Sequence, residues 1–199
     1  MEINWFPLFT FVIITTFTPG PNNLSSASMG IQFGYKKAMG FTFGIASGFF
    51  IVQLITAGLS SSLNSFIRLY EQPVRYIGSA YILWLAISLI RMRYDFEEKN
   101  ISTKSFLKGL LLQFVNPKGI VYGLTLYSTF LISLTNDILK LLPFAIFFSM
   151  LSLTSVTAWT LFGAGVKKYL RNEKIKTTLN IILCLLLIYS AVDLSGIMK

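Results

Sequence analysis

Thr18-Pro19-Gly20-Pro21-Asn22-Asn23 interrupts an apolar run that begins at Trp5 and contains no charged residue before Lys36. Because proline has no backbone N–H, Pro19 and Pro21 leave carbonyls of the preceding turn without their usual helical partners. In the hydrocarbon core of a membrane an unpaired carbonyl is so costly that a broken helix is tolerated only against protein or a water-filled cavity. The stretch therefore predicts a membrane helix that is broken at a functional place.

A second break is predicted in the other half of the chain, at Asn116-Pro117-Lys118-Gly119. It also lies in an apolar segment and also combines proline with asparagine and glycine. A single proline in a membrane helix is most often a simple kink, and this alternative stays open for each stretch alone. Two breaks, each flanked by asparagine, favour a binding site.

The composition is that of a membrane protein. Hydrophobic residues make up 54% of the 199 residues and charged residues 13%, against about 45–50% and about 25% in soluble domains. One cysteine and no histidine argue against an internal disulfide, a redox pair or a transition-metal site. We expect no cofactor and no nucleic-acid partner, because basic residues in a membrane protein mark its cytoplasmic loops.

The apolar segments predict an all-α integral membrane protein with six transmembrane helices in a single membrane domain, residues 1–199. The predicted spans, of which the first and fourth contain the proline breaks, are 5–28, 38–59, 76–90, 106–131, 141–165 and 177–197. A mildly amphipathic connection is predicted over 60–75. The first apolar run has no basic flank or small-residue cleavage site and is expected to be retained as a helix.

The distribution of basic residues predicts the orientation. The loops around positions 36, 100 and 171 carry twelve Lys and Arg residues, whereas the other side carries four. The basic side is expected in the cytoplasm, which places both termini outside it.

Six spans divide into two sets of three that enter the membrane from opposite sides. The halves, about 1–95 and 104–199, are therefore predicted to be inverted repeats, each opening with a broken span, which is the arrangement that marks substrate sites in many transporters. Gly40, Gly44 and Gly48 lie on one face of the second span. This face predicts close helix packing, inside one chain or in a homodimer.

The chemistry of the breaks suits a zwitterion. Gly20-Pro21 and Asn116-Pro117 have the form of an N-cap followed by proline at the first helical position. Each restarted helix would present N–H groups and a positive dipole end to an anion. The carbonyls freed before the breaks, those of Thr15, Phe17 and Gln113, would accept from an ammonium group. The predicted substrate-binding residues are Pro19, Gly20, Pro21, Asn22, Asn23, Asn116, Pro117 and Lys118.

Besides Lys108 at the edge of the fourth span, two charged residues lie within the spans. Lys118 opposes the dipole of the helix that it opens, so a negative partner is expected near it; the alternative is that its side chain reaches a membrane interface. Asp193 is the acid of the sixth span. It is either solvent-exposed, a partner of Lys118 or the carboxylate that couples transport to a proton or another ion.

The motifs resemble those of the LysE/RhtB family of bacterial amino-acid exporters. Residues 18–23 with the following glycines are similar to its first signature, residues 78–85 to its third-span pattern and residues 106–118 to its second signature. The resemblance implies export of a small amino acid or derivative across the bacterial inner (plasma) membrane, driven by the proton gradient. With only one acid in the spans, a neutral cargo is favoured over a cationic one.

Two other function classes make different demands on these residues. A non-transporting membrane subunit or assembly factor would use the prolines only as kinks. An intramembrane enzyme is disfavoured, because the spans contain no histidine, no HExxH motif and no paired acids.

Overall fold

The computed structural model describes residues 5–62, 64–90, 105–131, 137–170 and 172–197, and every regular element in these ranges is helical. The α-helices are α1 Trp5–Phe17, α2 Pro21–Phe33, α3 Tyr35–Ser62, α4 Asn64–Ile90, α5 Ser105–Leu112, α6 Pro117–Thr125, α7 Ile138–Val166 and α8 Glu173–Ser195. Most of the basic loop predicted around position 100 lies outside the described residues. The all-α prediction is confirmed.

Both predicted breaks are present. α1 ends at Phe17 and α2 begins at Pro21, with Gly20 extended between them. In the fourth span α5 continues into a 3₁₀ turn, Gln113–Val115, and stops at Asn116, whose backbone is extended (φ −88°, ψ 98°) before α6 begins at Pro117. Each break is therefore a short extended link between two helices in series.

Three helical segments are long and apolar enough to cross a membrane by themselves: Tyr35–Ser60, Ile138–Tyr169 and Glu173–Ser195. The two broken spans consist of pieces of eight to thirteen residues. The count of six spans stays a prediction, whereas the order of one broken span followed by two long helices occurs twice.

The predicted connection over 60–75 is wrong in its extent. α4 already begins at Asn64 and runs through Pro73. A proline inside a membrane helix is accommodated when neighbouring groups take up the freed carbonyl, so polar composition and one proline did not end this helix.

The glycines of the second span pack inside the chain, which confirms their predicted packing role. A Cβ built on Gly44 would collide with the Phe106 carbonyl of α5, and one on Gly109 would collide with the Phe41 carbonyl of α3. The same backbone-to-backbone approach joins α2 to α7, where Gly163 faces Ala27. Only residues without a Cβ allow helices to lie so close.

Two apolar clusters enclose the breaks. One contains Val12, Phe49, Tyr122 and Phe148, from α1, α3, α6 and α7. The other joins α4 to α8 and includes Cys184, which is buried there as a packing residue.

Candidate functional site

The ammonium group of Lys118 joins the two breaks. Its Nζ donates to the Thr18 carbonyl at 3.0 Å, the Thr18 hydroxyl at 2.8 Å and the Pro19 carbonyl at 3.1 Å. These acceptors follow the last residue of α1, at the negative end of that helix, where a cation is stabilised. Lys118 therefore does not reach a membrane interface: it opens α6 and binds the end of α1.

A bridge of three amide side chains makes a second connection between the breaks. Asn22 Nδ2 donates to Gln113 Oε1 at 2.8 Å, and Gln113 Nε2 donates back to Asn22 Oδ1 at 2.9 Å. Asn116 Nδ2 also donates to Asn22 Oδ1, at 2.8 Å. Buried amides hold a fixed geometry because each lost hydrogen bond inside a protein leaves an expensive unpaired group.

Side chains satisfy the carbonyls at the end of α1. Asn23 Nδ2 donates to the Thr16 carbonyl at 3.1 Å and to the Thr18 carbonyl at 2.8 Å. The indole of Trp159 donates to the Phe17 carbonyl at 3.3 Å, and the Ser190 hydroxyl donates to the Pro19 carbonyl at 2.7 Å. These contacts from α2, α7 and α8 supply hydrogen-bond partners to the broken backbone, which a membrane protein requires.

The predicted acceptors for an ammonium group are therefore already engaged. The Thr15 carbonyl accepts from the Thr18 hydroxyl, the Phe17 carbonyl from Trp159 and the Gln113 carbonyl from the Asn116 N–H. A different acceptor is available. Asn116 is 2% exposed, and within the described part of the chain its Oδ1 has no hydrogen-bond partner.

The restarted helices keep their first-turn N–H groups available. Gly20 and Asn116 occupy the N-cap positions as predicted, and proline follows each of them. Among the described residues, no side chain caps either helix, because Asn116 uses its amide in the bridge to Asn22. Both N-termini thus offer N–H donors and positive dipole ends to an anion.

These groups surround a cavity, which we call the break cavity. The centre of a water molecule can occupy about 40 Å³ of it. One water needs roughly 10–15 Å³ of such space, so the cavity has room for a few water molecules. Its lining residues come from α1, α2, α3, α6, α7 and both breaks: Thr15, Thr16, Thr18, Gly20, Pro21, Asn22, Asn23, Phe49, Asn116, Lys118, Gly119, Tyr122 and Ser152.

A larger cavity of about 280 Å³ adjoins it, and we call it the outer cavity. Lys118, Thr15, Thr18 and Tyr122 line both cavities. The outer cavity extends along α1, α6 and the end of α8, where Asp193 is exposed on its wall.

The structure brings together most of the predicted site residues. Gly20, Pro21, Asn22, Asn23, Asn116 and Lys118 line the break cavity. Pro19 contributes its carbonyl to Lys118, whereas the Pro117 ring faces Gly78 of α4 and acts as a packing residue. Asp193 lies apart from the break cavity but shares the outer cavity with Lys118.

Several functional residues were not predicted from the sequence. For Gln113 only the backbone carbonyl was predicted to take part, whereas its side chain, three residues before Asn116, forms the bridge to Asn22. Ser155, Trp159 and Ser190 reach the break from distant helices, and no local pattern marks them. Tyr122 lines both cavities, whereas Tyr127 is buried in the core.

Comparison with known proteins agrees with this architecture. A family model described as LysE type translocator matches residues 13–196. The chain belongs to the LysE family of translocators. It is therefore a membrane transporter and not an enzyme.

Curated relatives align over nearly their whole length. The cysteine/O-acetylserine efflux protein of Escherichia coli O6:K15:H31 (strain 536 / UPEC) is 34% identical over 186 residues, which cover 92% of this chain and 93% of the relative. The protein of the same name from strain K12 is 33% identical over 184 residues, with the same coverage. No solved structure shows a significant match.

Proposed function

We propose that this protein exports a small, neutral amino acid or amino-acid derivative across the bacterial inner membrane, driven by the proton gradient. The proposal is carried by one observation: two broken helices meet at one polar cavity that offers both anion donors and a buried acceptor. The efflux activity in the names of the relatives supports the direction of transport.

The carboxylate of the cargo binds where the helices restart. The N-termini of α2 and α6 face the break cavity with their free N–H groups and the positive ends of their helix dipoles. The Lys118 ammonium adds a full positive charge next to them. Because Lys118 already donates to three oxygens of the first break, an arriving carboxylate takes over part of this coordination and loosens the link between the breaks.

The ammonium group of the cargo binds Asn116 Oδ1. This oxygen is the buried acceptor without a partner in the described structure, and it lines the same cavity. An unpaired buried acceptor costs about 1–3 kcal/mol, and this cost is relieved when a donor arrives.

The lining also favours a short, uncharged side chain. Thr15, Thr16 and Ser152 give the wall small polar groups, and none of the described residues that line the break cavity is acidic. A lysine-like cargo would therefore find no counter-charge there. Cysteine and O-acetylserine, the compounds in the names of the relatives, meet both requirements.

Asp193 is the proposed coupling residue. It is exposed on the wall of the outer cavity, which Lys118 and Arg75 also line. A carboxylate in that position can take up a proton from the side to which the cavity opens.

Efflux from cells fed with dipeptides tests the proposal, with all amino acids in the medium measured together. Lys118→Ala removes the charge at the breaks and is expected to reduce efflux roughly tenfold or more, as loss of a charge-assisted hydrogen bond does. Lys140→Ala, at an exposed lysine near the start of α7, is the matched control and should retain efflux.

Two results would oppose the proposal. Wild-type efflux from Lys118→Ala would remove Lys118 from the mechanism. No selective efflux from wild-type protein shown to be in the membrane, or efflux that survives a protonophore, would contradict export or proton coupling respectively.

A further inference from the structure

We infer that the outer cavity is a second binding subsite, in which a zwitterionic amino acid lies between the Arg75 guanidinium and the Asp193 carboxylate after leaving the breaks. The inference rests on the proposed export function. It adds a place for the cargo on its exit path and a role for Arg75, a residue that lies outside both breaks.

The size of the outer cavity suits a free amino acid, whereas the break cavity in this state does not. Its 280 Å³ corresponds to roughly twenty water-sized volumes. The break cavity, at about 40 Å³, has the size of only a few water molecules. A cargo that leaves the breaks therefore has space on this side before it reaches solvent.

Charges of both signs line the outer cavity. Arg75 projects from α4. Its Nη1 lies 3.8 Å from the point where a Cβ on Gly196 would be, just beyond the end of α8. Asp193 lies one turn earlier on α8, since the Gly196 N–H donates to the Asp193 carbonyl at 3.2 Å. A guanidinium presents parallel donors that match a carboxylate, and a carboxylate accepts from an ammonium group.

The position of α4 against α8 holds this pair of charges in place. Gln72 Nε2, one turn before Arg75, donates to the Ser195 carbonyl at 3.1 Å. The buried cluster of Ile82, Leu183 and Leu187 fixes the same two helices below it. Arg75 and Asp193 therefore belong to two helices that pack directly against each other, which is the kind of support that a binding site needs.

The shared lining connects the two subsites. Lys118, Thr15 and Thr18 line both cavities. A carboxylate that leaves Lys118 therefore enters the outer cavity, which Arg75 also lines. On the other side of the breaks, α2 and α5 pack against α7 and α3 at glycines. The cargo thus has an open route toward the end of α8, and Arg75 and Asp193 line it.

Exchange of labelled O-acetylserine across membrane vesicles of known orientation tests the inference. The half-saturating concentration is measured separately on each face. Arg75→Gln should raise the half-saturating concentration about tenfold or more on the face of the membrane where α8 ends. On the opposite face the half-saturating concentration should stay within about twofold of the wild-type value. Arg75→Lys keeps the charge and should recover part of the loss.

A second variant and a control accompany this measurement. Thr129→Trp fills the outer cavity from an exposed position on its wall and should produce the same one-sided shift. Glu173→Gln removes an exposed charge at the opposite end of α8 and should change neither face.

The outcomes separate this inference from the proposed function. Unchanged half-saturation in Arg75→Gln and Thr129→Trp, or an equal shift on both faces, overturns the subsite and leaves export standing. Absence of exchange by the wild-type protein, both with O-acetylserine and with each amino acid measured in the dipeptide assay, overturns the export function and the subsite together. A one-sided shift in both variants supports the subsite.

Discussion

The two sides of the broken helices are built differently. On one side, which we call the packed side, α2 and α5 approach α7 and α3 so closely that Gly163 and Gly44 have backbone where a Cβ would be. On the other, the open side, residues of α1 and α6 line a cavity of about 280 Å³. The same chain thus closes one route to the breaks with backbone contacts and leaves the other route open.

If the halves are inverted repeats, as the sequence predicts, this difference is the one expected when a single site is exposed to one side at a time. In two related halves, α1 to α4 are equivalent to α5 to α8 in the same order. The contact of α2 with α7 in one half is then equivalent to the contact of α6 with α3 in the other. Likewise, the contact of α5 with α3 is equivalent to the contact of α1 with α7. The two closely packed contacts, α2 with α7 and α5 with α3, lie on the same side of the breaks. Exchanging the two arrangements would open the packed side, so we interpret the structure as one of two end states.

The largest expected effect comes from adding one methyl group to the packed side. Gly163→Ala places a Cβ against the backbone of Ala27 and should destabilise the protein by about 1–3 kcal/mol, as overpacking does. Thermal unfolding in detergent, followed by loss of the monodisperse peak, measures it.

Gly165 in the same helix supplies the control. A Cβ there meets open space among the described residues, so Gly165→Ala should leave the unfolding temperature unchanged or slightly higher. Equal destabilisation by the two substitutions would show that the close approach of α2 and α7 is not a feature of the folded protein.

Disrupting the amide bridge tests the boundary between the two sides and should have an intermediate effect. Asn22→Ala leaves Gln113 and Asn116 without their shared partner and should reduce efflux by roughly tenfold, since each buried group left unpaired costs about 1–3 kcal/mol. Gln32→Ala, which removes a contact within α2 to Ser28, should have little effect.

The double variant Asn22→Ala with Gln113→Ala sharpens this test. Because the two amides bond to each other, their effects on efflux should be less than additive. Fully additive effects would mean that the residues act independently and that the bridge does not connect the breaks.

Local chemistry explains which features could be predicted from the sequence. The breaks at Pro19 and Asn116 follow from prolines inside apolar segments, and the glycine face of α3 follows from its spacing. The partners of the broken backbone could not be predicted, because Ser155 and Ser190 lie far along the chain from the carbonyls that they bind. Lys118 was predicted to need a negative partner, yet the end of helix α1 supplies the partial charge that binds it.

The smallest effect on efflux is expected from single cysteine substitutions, whose labelling compares solvent access on the two sides of the breaks. Native Cys184 is buried, so background labelling should be low. Thr129→Cys on the wall of the outer cavity should react with a membrane-impermeant maleimide added to intact cells and should retain most efflux. Thr160→Cys, fully buried at the contact of α2 with α7, should remain unlabelled.

The side from which Thr129→Cys reacts also tests the predicted orientation. Labelling in intact cells places the open side and the chain termini outside the cytoplasm, in agreement with the basic loops on the other side. Labelling only in inverted vesicles would reverse that orientation while preserving the difference between the sides. Equal labelling of Thr129→Cys and Thr160→Cys would remove the difference itself, because the breaks would then be reached through both routes.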